Sequence, residues 1–435
     1  MLWLYRLLFL PALLLSSPFY VRRMWRRGSY GENFRQRFGG TGALPAKTPG
    51  VKRIWLQAVS VGEMLAIAPL LQAWRREGGV EVYLTTTTST GYQVARERYR
   101  EHTIGIGYFP LDWWGFSARA WRRVQPDVVI LTEGERWPEH IHQAAVRGVP
   151  VVAVNARLSD RSFTRMMKFR DAVQPLLRGI THVLACSEHD ADRFRALGIA
   201  ESAITTTGSI KLDVEIPVIS ADEKARLRCE LGLPPDGLIL MGASTWEGEE
   251  TALVKALQKA RAAGQNCSLL LVPRHAERRS AIELMLKGRA LTYHFRSKGV
   301  YWAKAELTDQ STAVDVAVGD TTGEMRNFLQ LADVVFVGKS LPPHMEGQTP
   351  VESAILSRPI IFGPGMGNFR LIARELVTAG AASMVADAHE LADQAVQFLS
   401  DAELRASSGA AGHDWHQQNV GAVARTLTAI RACLS

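Results

Sequence analysis

Three acidic residues sit where proton transfer could be run: Glu63, Glu133 and Glu135. Glu63 closes Val59-Ser60-Val61-Gly62-Glu63, after an apolar run at 54–59 and before apolar residues at helical spacing over 64–74, which reads as a strand-to-helix turn. Ligands of parallel sheets gather at such turns. Helix amides favour the ionised carboxylate there, the state a general base needs, and the same position suits an acid that merely steadies the first turn. Glu133 and Glu135 lie in Thr132-Glu133-Gly134-Glu135-Arg136-Trp137-Pro138, after a second strand-like run, and so share the rim with Glu63. Neighbouring carboxylates raise one another's pKa, which suits proton handling; pairing with Arg136 or capping the next helix is the structural alternative.

Groups suited to anions follow at similar turns. Lys211 in Thr207-Gly208-Ser209-Ile210-Lys211 can meet a negative charge, or can be an ordinary solvated lysine. Pro273-Arg274-His275 again follows an apolar run, and its guanidinium suits phosphate or carboxylate. Gly319-Asp320-Thr321-Thr322-Gly323-Glu324 has the composition of a turn into a helix N-terminus, where free amides bind phosphate. Gly347-Gln348-Thr349-Pro350-Val351-Glu352 puts Pro350 in a first helical turn and Glu352 within reach of ribose hydroxyls. Gly363 to Phe369 is a further flexible turn, without a complete Walker or Rossmann fingerprint. Arg157, Arg161, Arg165 and Lys168 share one face if their segment is helical, either as a solvated surface or as a grip on phosphate.

The elements that must hold these groups alternate. Short apolar runs at 80–84, 128–132, 151–154, 183–186 and 203–207, then at 238–242, 269–272, 314–318, 334–337 and 360–362, are separated by helical patterns, the signature of parallel α/β sheets. Helical segments starting near Ala388 and His413 finish the chain. At 435 residues and 47% hydrophobic content the protein is too long for one ordinary core. The expected division is an anchor over 1–27, a first domain over 28–212, a linker over 213–236 and a second domain over 237–435, the two halves facing each other across a cleft. Residues 2–21 are almost wholly apolar and precede Arg22-Arg23-Met24-Trp25-Arg26-Arg27, so a retained anchor with the body on the cytoplasmic side is expected. The net charge of +8 favours an anionic partner. Four scattered cysteines suit a reducing compartment, and the spacing of His140 and His142 suggests no metal site.

Taken as an ordered set, these segments resemble the bacterial 3-deoxy-D-manno-octulosonic acid (Kdo) transferases, membrane-associated glycosyltransferases of GT-B architecture. The likeness runs from Gly31-Glu32-Asn33-Phe34-Arg35-Gln36-Arg37-Phe38-Gly39 through the Glu63 and Glu133-x-Glu135-x-Trp137-Pro138 motifs. It continues through Asn155-Ala156-Arg157-Leu158-Ser159 and Gly208 to Lys211, then Pro273 to His275 and Gly319 to Glu324, and reaches the turn at Asn368. The resemblance implies two Rossmann-like domains, the first for the acceptor and the second for the donor. It implies Glu63 as general base, with Glu133 and Lys211 stabilising the transition state. Pro273, Arg274, Thr322, Gly323, Glu324, Thr349, Pro350, Val351 and Glu352 match the segments that hold the CMP part of CMP-Kdo. Arg157 and Arg161 are candidates for an acceptor phosphate. The family transfers Kdo to the lipid A precursor at the inner membrane, with no metal or other cofactor. Two departures stand out: the family usually carries Asn where this chain has Thr349, and a hydrophobic residue where it has Arg136.

Physical chemistry agrees with that implication. The sugar acid, the CMP leaving group and the lipid phosphates are all anionic, and a basic protein with an apolar anchor suits all three. Two rivals stand beside it. One is a UDP-sugar enzyme of the same architecture acting on another lipid; the other is a non-catalytic, membrane-tethered basic binding protein. No recognised nucleic-acid motif is present, so nucleic acid is not an expected partner.

Overall fold

The computed structural model describes residues 2–27, 33–301 and 313–434. Gly31 and Glu32 of the first motif therefore lie outside the described residues. The chain forms two compact units, one of Met1–Asp213 with Asn419–Ser435 and one of Val214–Gln418.

The first unit is built on seven strands: β1 (Lys52–Gln57), β2 (Val80–Thr86), β3 (Gly105–Tyr108), β4 (Val128–Thr132), β5 (Val151–Ala156), β6 (His182–Ala185) and β7 (Ile204–Thr206). They pair in parallel in the order β3-β2-β1-β4-β5-β6-β7. A sheet covered by helices on both faces needs apolar side chains at every position, which is why the strands read as continuous runs and not as alternation. Ile54, Leu56, Val128 and Ile130 enter one core cluster, whereas Trp55, Val129 and Leu131 enter the cluster on the opposite face. His140 is buried in that second cluster, 4.5 Å from the ring of Trp55, with Nδ1 accepting from Trp121 Nε1 at 3.1 Å. Burial pushes its pKa down to about 3, so it is a neutral core residue.

The second unit repeats the plan with β8 (Leu238–Thr245), β9 (Cys267–Pro273), β10 (Tyr293–Phe295), β11 (Val316–Val318), β12 (Val334–Val337), β13 (Ile360–Phe362) and β14 (Ala382–Met384). These are also parallel, in the order β10-β11-β9-β8-β12-β13-β14. Strand order reverses between β1 and β4 in one sheet and between β8 and β12 in the other, and ligands of open parallel sheets bind at such switch points.

Two expected boundaries differ. The stretch 213–236, expected as a linker, contains the helix Ala221–Glu230, started by a capping box between Ser220 and Glu223. The C-terminal residues expected in the second domain return to the first unit from Asn419 onward. Asp213 accepts from the amides of Gly421 (2.8 Å) and Val423 (2.6 Å), capping the helix Ala422–Leu434. Arg425 Nε donates to Thr207 O at 2.8 Å, and Ala422, Leu427 and Ile430 are buried in the core cluster of β1 and β2.

Candidate active site

In the first unit the carboxylate of Glu63 is placed by its own turn. Ser60 is the N-cap of the helix Val61–Ala66, and its hydroxyl and the Glu63 carboxylate form a reciprocal capping box. Oε1 accepts from Ser60 N (3.3 Å) and Ser60 Oγ (2.9 Å); Oε2 accepts from Val59 N (3.0 Å) and, across the switch point, from Thr132 Oγ1 (2.6 Å). Glu63 is 8% exposed. It is thus both the helix-steadying acid and a carboxylate fixed at the β1–β4 reversal, so the two sequence readings coexist.

Glu133 follows β4 with φ of 51°, a left-handed conformation that costs a non-glycine residue energy and is common at functional sites. Its carboxylate pairs with Lys211 Nζ and with Arg157 Nε at 3.2 Å. Asn155, also left-handed (φ 53°), sits where the register of β5 against β6 shifts. Its Oδ1 accepts from Ile210 N (3.1 Å), which holds the Gly208–Lys211 turn beside Glu133. Glu135 is half-buried, and its pKa is raised to about 7, chiefly by burial and then by the charges of Glu63 and Glu133. Glu63, Glu133, Glu135, Lys211 and Arg157 therefore form one charged cluster.

The arginine stripe is only partly as expected. The helix spans Asp160–Lys168, so Arg161, Arg165 and Lys168 are exposed on it, whereas Arg157 lies before its N-cap Ser159. Arg157 is drawn to Glu133 instead. Arg136 donates to Arg157 O at 3.3 Å and lies over the Phe194 ring.

In the second unit Pro273 ends β9 in register with Thr245, and Arg274 is exposed beyond it, its amide bonded to Thr245 O at 3.1 Å. Thr322 and Gly323 are exposed, Gly323 with φ of 94°. Glu324 is occupied by Arg296, with Nη2 to Oε1 at 3.2 Å. The Gly347–Pro350 turn folds onto the end of β12 through Gly347 N to Lys339 O (2.8 Å) and Gln348 N to Gly338 O (3.1 Å). Pro350 is the N-cap of the helix Val351–Ile355, one place earlier than expected. Thr349 Oγ1 accepts from Val351 N at 3.3 Å, and Glu352 pairs with Arg326 at 2.8 Å.

Sequence reasoning passed over the groups at the β8–β12 reversal itself. Ser244 (φ 56°) and Lys339 (φ 60°) close the two strands in left-handed conformations. A Cβ on Gly338 would lie 2.4 Å from Ser244 O, so only glycine permits the two backbones to approach. The buried Glu249 ties both ends together, accepting from Trp246 N (2.8 Å), Lys339 N (2.8 Å), Ser340 N (2.9 Å) and Leu341 N (3.1 Å). Lys339 Nζ lies 4.3 Å from the centre of the Trp246 ring, with His275 and His344 against the same indole. The usable signal was Glu249 in the first turn of a helix directly after a strand, the same arrangement that singled out Glu63.

Comparison with known proteins agrees with this construction. Residues 32–214 match the family described as 3-deoxy-D-manno-octulosonic-acid transferase (kdotransferase). A 3-deoxy-D-manno-octulosonic acid transferase of Bordetella pertussis is 35% identical, over 94% of this chain and 94% of its own. One from Haemophilus influenzae is 31% identical, over 98% of this chain and 95% of its own. Among solved structures, a glycosyltransferase from Rickettsia africae matches 88% of this chain and 99% of its own at a TM-score of 0.60 and 12% identity, a likeness of fold. The two parallel α/β units are the GT-B architecture that the resemblance implied, here preceded by an N-terminal apolar helix, and the chain belongs to the 3-deoxy-D-manno-octulosonic acid transferase family.

Proposed function

We propose that the protein transfers Kdo from CMP-Kdo to the phosphorylated, acylated glucosamine disaccharide of the lipid A precursor, by direct displacement with inversion, on the cytoplasmic side of the inner membrane. The observation that carries the reading is the cluster at the β1–β4 reversal. There a fixed carboxylate, Glu63, stands next to a second one, Glu133, that is neutralised by Lys211.

Attack by a sugar hydroxyl needs its proton removed as the new bond forms, and Glu63 is the group assigned to take it. All four of its acceptor positions are filled by its own chain, so the arriving hydroxyl displaces one donor; two of the four are side-chain hydroxyls, of Ser60 and Thr132, and the Thr132 proton can turn to Gln57 O, 3.0 Å away. Glu133 orients Lys211, whose cation offsets charge developing on the sugar acid. In the second unit Arg274 with Pro273 meets the CMP phosphate, the Thr322-Gly323-Glu324 turn lines the nucleotide, and Thr349 to Glu352 reach the ribose. Arg326 already holds Glu352, so a ribose contact there requires that ion pair to share its acceptor oxygens. Arg157 and Arg161, both exposed, are assigned to an acceptor phosphate, Arg157 from its pair with Glu133.

The test is product analysis with purified protein, CMP-Kdo and lipid A precursor, with CMP and UDP as competitors. A product heavier by whole Kdo units, formed in a reaction that CMP inhibits better than UDP, is expected. Turnover of a UDP-sugar with none of CMP-Kdo would overturn the proposal in favour of a UDP-dependent transferase.

A further inference from the structure

The start of the N-terminal helix Leu2–Arg27 is held by the first unit. Near its start, Tyr5 Oη donates to Asp112 Oδ2 at 2.8 Å. Arg6 reaches Glu139 through two parallel bonds, Nε to Oε2 at 2.7 Å and Nη2 to Oε1 at 3.0 Å. The Glu139 side chain is fully buried and that of Arg6 is 12% exposed. Asp112 also accepts from the amides of Glu139 (3.0 Å) and His140 (2.9 Å), so the latch is built onto the N-terminus of the helix Pro138–Ala145. Beyond the other end, the turn Phe34–Phe38 is part of the same unit: Arg37 is buried, and Gln36 Oε1 accepts from Tyr108 N at 2.8 Å.

Burial along the helix follows this placement. Leu2, Tyr5, Arg6, Phe9, Leu10 and Leu13 are half-buried, and their spacing of three and four puts them on one face. Trp3, Leu7, Leu14, Leu15 and Phe19 are exposed, each by 70% or more. The segment Leu2–Phe19 is long and apolar enough to cross a bilayer. Crossing, however, puts about 24 Å of helix between Arg6 and Arg22, with Arg6 at the far side of the hydrocarbon. Asp112 and Glu139 would have to go with it, carrying the edge of a polar α/β unit into lipid. A closed latch and a membrane span exclude each other.

We infer that the Leu2–Arg27 helix lies in the plane of the membrane surface, latched to the first unit by Tyr5 and Arg6, with its exposed apolar stripe seated in the interface of an anionic bilayer. The occupant follows from composition: the apolar face runs directly into Arg22-Arg23-Met24-Trp25-Arg26-Arg27, and each arginine near an anionic surface adds attraction. The inference rests on the proposed membrane location of the enzyme and not on its chemistry.

The full-length protein carrying an N-terminal epitope tag provides the test, with protease applied to spheroplasts and to inverted inner-membrane vesicles. The tag should be protected in spheroplasts and cleaved in inverted vesicles. Cleavage from the outside of spheroplasts overturns the in-plane placement. Recovery of the protein in the soluble fraction overturns the membrane reading itself. Disulfide-linked dimers of a Leu14→Cys variant in membranes would instead make a second copy the occupant of the stripe, and would overturn the assignment to lipid. With Arg6→Ala the latch opens and the segment loses its only charged side chain before Arg22, so part of the tag population should become reachable from outside. The exchange of Arg6→Glu with Glu139→Arg should restore protection.

Discussion

The carboxylate of Glu63 receives two hydrogen bonds on each oxygen from its own chain, so Glu63→Gln tests more than proton transfer. The amide nitrogen cannot accept from the Val59 amide, and one buried donor is left unmet at a cost of about 1–3 kcal/mol. The expected outcome is a transfer rate lower by about 10²- to 10⁴-fold, a lowered melting temperature and unchanged CMP binding; near-normal turnover at saturating substrates would remove Glu63 from the role of base. Glu135 gives a second residue-scale prediction. Its pKa is about 7 in the folded protein against an ordinary 4.5, so between those values the folded state holds a proton that the unfolded state has lost. Its contribution to stability is therefore fully present below about pH 4.5 and is lost as pH rises to about 7. Subtracting the stability-versus-pH curve of Glu135→Gln from that of the wild type should isolate a fall across this window, and a flat difference would refute it. At this scale the sequence showed which groups carry charge. It did not show that Arg157 turns back to Glu133, because that pairing depends on a loop geometry set by Asn155 and its bulge.

Turns and caps decide which elements were legible. The interior strands were found because burial on both faces forces unbroken apolar runs, as at Ile54 to Leu56 and Val128 to Leu131. The three missed strands, β3, β10 and β14, are all at sheet edges, and their apolar residues are interrupted by Gly107, His294 and Ser383, so none shows an unbroken run. The C-terminal helix was anticipated as a helix but assigned to the wrong unit. Its cap is Asp213, 208 residues away from Gly421 in sequence, and no local pattern announces such a partner. Asp213→Ala should remove about 0.5–2 kcal/mol from the first unit. Limited proteolysis should then release the segment after Asn419 earlier than in the wild type, while the second unit stays resistant. Equal protection of that segment in both proteins would show that side-chain packing alone holds it.

At the scale of the molecule, the N-terminal segment expected as an anchor is also bonded to the first unit through Tyr5 and Arg6. Deleting residues 1–27 leaves the Glu139 and Asp112 carboxylates without Arg6 and Tyr5, and removing one member of a buried pair costs up to about 3–5 kcal/mol. Calorimetry should show a lowered transition for the first unit only, partly recovered by Glu139→Gln; a truncated protein as stable as the full chain would show that the Tyr5 and Arg6 bonds add nothing to the unit's stability. The return of Asn419–Ser435 to the first unit has a separate consequence, for synthesis. The unit made first lacks part of its core until Asn419–Ser435 have been made, and at about 5–20 residues per second that interval is roughly 10–40 s. Throughout it the apolar surface that Leu427 and Ile430 will cover is open, and a ribosome that stalls or terminates early leaves it open for good. The helix Ala422–Leu434 therefore acts as a proof of progress: only a message translated past it yields a finished N-terminal half.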